Sequence, residues 1–140
     1  MLFYADRLEH VEGVIKPALA AGKIVVCDRY FDSTLAYQWG GRHMPKDLLM
    51  VLQDQVDLSP HLTLVLDLPP EEGMRRAVER SALDRFEQEA MDFHHRVRQI
   101  YLDIAAGEPD RVKCLDVADL AIEAVFERVK GVVDGHLGLS

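Results

Sequence analysis

The chain has 140 residues, with 16 Lys and Arg against 24 Asp and Glu and a formal net charge of −8, a length that supports one domain with its own core and is short for two. The acidic balance argues against a general nucleic-acid or membrane-surface binder, so any phosphate ligand must be met by local arginines. No apolar run approaches the roughly 20 residues that cross a bilayer, and the first residues lack a basic-then-apolar leader, so the expectation is a soluble cytoplasmic protein.

Leu8, Val11, Ile15 and Ala18 recur at helical spacing, which predicts a first helix over residues 2–15 with one buried stripe. Pro17 is expected to kink it or begin a new turn, and Gly22 to stop it. Phe3 and Arg7 lie four apart on one face of this helix. Such a pair can hold a flat heterocycle by stacking and a hydrogen bond; the same spacing fits a core Phe beside an unrelated surface Arg.

Four successive apolar residues, Ile24, Val25, Val26 and Cys27, predict a strand buried on both faces, the pattern of a parallel sheet. Asp28 and Arg29 then fall at its carboxyl end, the edge where open α/β sheets bind ligands. Asp32, Ser33 and Thr34 are cap-type residues suited to starting a helix, on which Ser33 and Tyr37 share a face. A surface ion pair or a simple cap is the competing reading of Asp28 and Arg29. Residues 39–43, with paired glycines, predict a flexible turn.

A helix follows from Pro45 to about Val56, with Leu48, Leu49, Val51 and Leu52 expected on its buried side. Residues 62–68 predict a second buried strand, ended by Pro69 and Pro70, and Glu71 and Glu72 suit the start of the next helix, where the helix dipole favours carboxylates. Arg75, Arg76, Arg80 and Arg85 gather positive charge around Ser81, Ala82 and Leu83. Guanidinium groups on a closing segment are what phosphoryl transfer requires, whereas a solvated helix face paired with Glu79, Glu87 and Glu89 is the alternative.

From Phe86 the apolar positions Ala90, Phe93, Val97, Ile100, Tyr101 and Ile104 predict a long amphipathic helix, closed by Gly107 and Pro109. His94 and His95 are adjacent and point to different sides, a poor metal pair. Residues 112–117 read as a third strand, and Leu120, Ile122, Val125, Phe126, Val129 and Val133 as a final helix. Residues 1–133 thus form the expected domain and 134–140 a frayed tail. The two cysteines, Cys27 and Cys114, fall inside predicted strands without a metal spacing, so buried free thiols are expected. Alternating strands and helices predict an α/β fold, a parallel sheet flanked by helices.

The run Asp28-Arg29-Tyr30 followed by Ser33 and Ala36-Tyr37-Gln38 resembles the acceptor-site motif of bacterial thymidylate kinases, members of the nucleoside-monophosphate kinase group. The resemblance extends through Leu2-Phe3-Tyr4-Ala5-Asp6-Arg7, Pro70-Glu71-Glu72-Gly73 and Leu83-Asp84-Arg85-Phe86-Glu87, and Phe93, Arg96 and Tyr101-Leu102 also match. It implies transfer of the γ-phosphate of ATP to dTMP with Mg²⁺, in a homodimer. By this similarity Phe3 stacks on thymine and Arg7 bonds its edge. Arg29 holds the dTMP phosphate, Asp28 sits by the transferring phosphates and their Mg²⁺, and Ser33, Thr34, Tyr37 and Gln38 close around base and sugar. Arg76, Arg80 and Arg85 belong to a lid over ATP. Trp39 replaces a glycine common in the family, and Val78 a further lid arginine.

No G-x-x-x-x-G-K-[ST] occurs in the sequence, although the resemblance implies that phosphate loop near the amino terminus. The expectation is a P-loop kinase fold lacking its first strands, weak or inactive alone, with the missing first strand belonging between residues 24–27 and 62–68 and leaving both edges open. A catalytically dead nucleotide-binding or dimerisation module and a deoxynucleoside kinase are the alternatives. A receiver domain phosphorylated on Asp28 fails, for lack of the acidic pair that would hold its metal.

Overall fold

The computed structural model describes residues 2–80 and 90–139, with side chains described for 4–77 and 91–139. The first helical stretch is α1 (Leu2–His10), a π-helical turn (Val11–Ile15) and α2 (Lys16–Ala20). Val11 and Ile15 are buried as their spacing predicts, but Leu8 is exposed. Pro17 lies in the first turn of α2, where its missing N–H costs little, and the wider π turn directly before it relieves the ring's clash with the preceding turn. Gly22, at φ 72°, ends the stretch, with Lys23 N–H donating to the Ala18 carbonyl at 3.0 Å in a left-handed helix cap.

Residues 23–27 do not form the predicted strand. They are not in a sheet, and Ile24 and Val26 are 73% and 92% exposed. A strand exists only where a neighbour completes its hydrogen bonds, and among the described residues none does. Only Val25 packs inward, against the cluster around Val11.

The chain then turns into α3 (Phe31–Thr34), which continues as a π helix (Leu35–Gly41), followed by α4 (Lys46–Val56). Gly40 and Gly41 are therefore helical, not a flexible turn. A Cβ on Gly41 would lie 2.3 Å from the Phe93 ring, and one on Gly40 would lie 2.4 Å from Ile100 Cγ1, so these glycines serve close helix packing. On α4 the buried positions are Leu49, Gln53 and Val56, while Leu48 and Val51, expected inside, are exposed. The inner stripe is rotated by one position from the one inferred.

Strands β1 (Thr63–Asp67) and β2 (Val112–Asp116) pair in parallel, Thr63 opposite Val112 and Asp67 opposite Asp116. Between them run α5 (Pro70–Arg80) and α6 (Ala90–Gly107), the crossover that a parallel pair requires. α7 (Ile122–Leu137) ends at Gly138, φ 68°, so most of the expected frayed tail is helix. Cys27 and Cys114 are both exposed, contrary to expectation: Cys27 has no strand to sit in, and a sheet of two strands covers little of β2.

The core lies on the helical side. Tyr4, Phe31, Leu35 and Leu49 form one buried cluster, with Trp39, Ile100 and Ile104 against it, and Val11, Ile15 and Val56 form a second. Tyr30 packs on both. Residues 23–29 and β1 face a common cleft of about 1310 Å³, whose walls also include Met74, Tyr101 and Val133. Of the two open edges expected from the sequence only that of β1 belongs to a strand, and residues 23–27 do not pair with it.

Candidate functional site

Arg29 follows the extended segment with φ 64°, a left-handed conformation that costs a non-glycine residue on the order of 1 kcal/mol and recurs at functional sites. Its guanidinium lies 4.7 Å from the Tyr37 ring centre, and Nη2 donates to the Tyr37 hydroxyl at 3.0 Å. Tyr37 rests edge-on against Phe93 of α6, with ring centres 5.9 Å apart. The helix thus gives the arginine a fixed platform while leaving it exposed, as an anion-binding group must be. Asp28, Arg29, Ser33 and Tyr37 all line the cleft.

Ser33 Oγ lies 2.6 Å from the Tyr101 hydroxyl. Burial pushes the Tyr101 phenol up, partly offset by the bond to Ser33, so the phenol keeps its proton at neutral pH. Tyr101 reads in sequence as one more apolar helix position; nothing in its spacing marks it as a member of this site.

A second group of polar contacts lies where α1 meets α3. Arg7 Nη2 donates to Thr34 Oγ1 at 2.9 Å and to the Tyr30 carbonyl at 3.4 Å, and its guanidinium lies within 5.5 Å of the ring centres of Tyr4 and Tyr30. Among the described residues Arg7 Nη1 is buried without a hydrogen-bond partner. A buried guanidinium N–H left unpaired is costly, and it is the donor that a ligand's carbonyl oxygen would satisfy. Burial raises the Tyr4 and Tyr30 phenols, with Arg7 opposing, so both stay neutral beside the cation.

The remaining candidates are distributed differently. Gln38 accepts from Arg42 at 3.4 Å. Arg76 is engaged by Glu72, with Nε to Oε1 at 2.7 Å, and by the backbone carbonyls of Val117 and Ala118, so in this conformation it braces α5 against the loop after β2. Hydrogen bonds from Arg75 and Arg76 pull the Glu72 carboxyl down to about 2. The side chains of Phe3, Val78 and Arg80, and Arg85 with residues 81–89, lie outside the described residues. Among the described residues no three His, Cys, Asp or Glu side chains converge to hold a metal. Spacing also missed Asp32 and Arg111, 79 positions apart and joined by a bidentate ion pair, and Arg96 of α6, which donates to the carbonyls of Gly40 and Gly41 at 3.2 Å each.

The family profile described as thymidylate kinase matches residues 1–129. The chain is 46% identical to a thymidylate kinase of Caulobacter vibrioides, covering 99% of this chain and 67% of that protein. It is 48% identical to one from Pseudomonas putida, covering 98% and 66%. The crystal structure of thymidylate kinase from Ehrlichia chaffeensis superposes with a TM-score of 0.73 at 33% identity, covering 94% of this chain and 61% of that one. The chain therefore spans about two-thirds of the length of the relatives it matches.

Proposed function

Because this chain belongs to the thymidylate kinase family, we propose that its cleft and the adjoining Arg7 site accept dTMP for phosphorylation by ATP, giving dTDP and ADP. The observation that carries this reading is the buried Nη1 of Arg7 beside Thr34, which has no hydrogen-bond partner among the described residues and is a donor suited to a carbonyl oxygen of a pyrimidine. Arg29, braced on Tyr37, meets the phosphate of dTMP and offsets negative charge as one of its oxygens attacks the γ-phosphorus of ATP in line. Ser33 with Tyr101, and Gln38, border the sugar. Phe3 stacks on the base, and Arg76, Arg80 and Arg85 serve the ATP side. Arg76 takes part by leaving the Val117 and Ala118 carbonyls.

Mg²⁺ belongs to this reading as the counter-ion of ATP. The described residues do not supply a set of ligands for it, and Asp28 alone does not make a metal site. The 140 residues also contain no phosphate loop motif, so ATP finds no backbone cradle among them, and transfer by these residues alone is slow. A homodimer through α1 and the π-helical turn after it, where Leu8 and Val14 are exposed, and a cytoplasmic location complete the proposal. The same missing motif favours, as second reading, a module that binds dTMP without transferring phosphate.

The test is calorimetric titration with dTMP, followed by ADP formation with Mg-ATP in excess. Arg29→Ala is expected to weaken dTMP binding by about 2 kcal/mol, roughly 30-fold, the scale of charge-assisted hydrogen bonds. Unchanged affinity removes Arg29 from the acceptor site; dTMP binding without ADP formation selects the second reading.

A further inference from the structure

Three consecutive side chains in the first turn of α3 are each tied to a different part of the fold. Ser33 meets Tyr101 of α6 and Thr34 meets Arg7 of α1. Asp32, only 5% exposed, reaches the start of the sheet. Its Oδ2 accepts from Arg111 Nη1 at 2.8 Å and from Thr63 Oγ1 at 3.0 Å, and its Oδ1 accepts from Arg111 Nη2 at 2.9 Å. Arg111 is itself held from behind. Its Nε and Nη2 donate to Glu108 at 2.7 and 3.1 Å, and its carbonyl accepts from Thr63 N–H at 2.8 Å.

The side-chain polar atoms of Asp32, Arg111 and Thr63 bond to one another or to Glu108, and Arg111 stands immediately before β2 as Thr63 begins β1. We propose that the Asp32–Arg111–Thr63 cluster is a positioning clamp for the acceptor site, holding the turn that carries Arg29, Ser33 and Thr34 in register with the sheet. The proposal rests on the dTMP reading for its functional consequence and on geometry alone for the clamp. A planar guanidinium gripping both carboxylate oxygens fixes direction as well as distance. Arg29 is three residues upstream, and its side chain has only Tyr37 as a hydrogen-bond partner among the described residues. Its placement therefore depends on where Asp32 anchors the helix. Hydrogen bonds to Asp32 and Glu108 also raise the Arg111 pKa further above its already high value, so the guanidinium keeps its charge throughout the pH range of the assay.

The experiment compares wild type with Arg111→Gln, Arg111→Lys and the milder Thr63→Val, which removes one hydroxyl at nearly constant volume. Circular dichroism at 10 °C selects variants that are folded; backbone amide resonances of the free protein and dTMP titration are then measured on those. The clamp predicts displaced resonances for Arg29, Ser33 and Thr34 in every folded variant. It also predicts dTMP dissociation constants raised about tenfold in Arg111→Gln, less in Arg111→Lys and two- to threefold in Thr63→Val. A merely structural pair lowers the melting temperature and leaves those resonances and the affinity of the folded protein unchanged, which overturns the proposal. If Arg111→Gln does not fold, Thr63→Val decides on the same two readouts. If wild type binds no dTMP, the acceptor reading fails, and the amide resonances still test the clamp.

Discussion

Replacing Gly41 by alanine isolates the packing of the π-helical Leu35–Gly41 segment against α6. The new Cβ would stand 2.3 Å from Phe93 Cε2 and 2.9 Å from Cδ2 and Cζ, whereas carbon atoms prefer about 3.5 to 4.0 Å. The ring must retreat by more than about 1 Å, and it already lies edge-on to Tyr37 at 5.9 Å, a contact worth about 0.5–1.5 kcal/mol. Overpacking of this kind costs about 1–3 kcal/mol, against a gain of up to about 1 kcal/mol for alanine over glycine in a helix. The net expectation is destabilisation by about 1–2 kcal/mol, seen as a fall of roughly 0.5–1 M in the urea midpoint. Gly131→Ala in α7, where a Cβ meets nothing within 4 Å, changes the same atoms without the clash and should raise stability by about 0.5–1 kcal/mol. A Gly41→Ala midpoint equal to or above that of wild type would refute the close approach of the two helices.

Leu49 is fully buried and packs with Tyr4, Phe31 and Leu35, so Leu49→Ala should lose about 2–5 kcal/mol by urea unfolding, and a loss below 1 kcal/mol would mean that this cluster is not the core. The folded-state pKa of Glu72 is lowered from 4.5 to about 2 by Arg75 and Arg76. A depressed carboxylate contributes stability above its unfolded pKa and loses it as pH falls through its folded value, here between about pH 4.5 and pH 2. Glu72→Gln should therefore flatten stability against pH across that window, measured by thermal melts; an acid limb identical to wild type argues against the Glu72 cluster.

Local composition was enough to place most of the helices, the segments of both paired strands and their parallel sense, because apolar periodicity and end signals such as Pro70 and Gly107 act within a few residues. Residue order likewise brought Asp28, Arg29, Ser33 and Tyr37 forward together, and they do line one cleft, since they are near in the chain and the shared helix face of Ser33 and Tyr37 follows from spacing alone. Pairing and packing lay beyond that reach. Residues 24–27 have the side chains of a buried strand but no neighbour to complete one, and hydrogen-bond partners are a property of two segments. Gly40 and Gly41 read as a turn until α6 lies against them. Asp32 reads as a helix cap, yet its carboxylate is committed to Arg111, 79 residues away. Arg76 reads as a lid cation, yet here it holds carbonyls after β2. The sequence determined most of the helical segments, three candidate strands and which residue types meet at the cleft; only the tertiary structure decided which two strands pair and what each charged group is bound to, because strand pairs and long-range ion pairs depend on where distant segments come to rest and carry no periodicity along the chain.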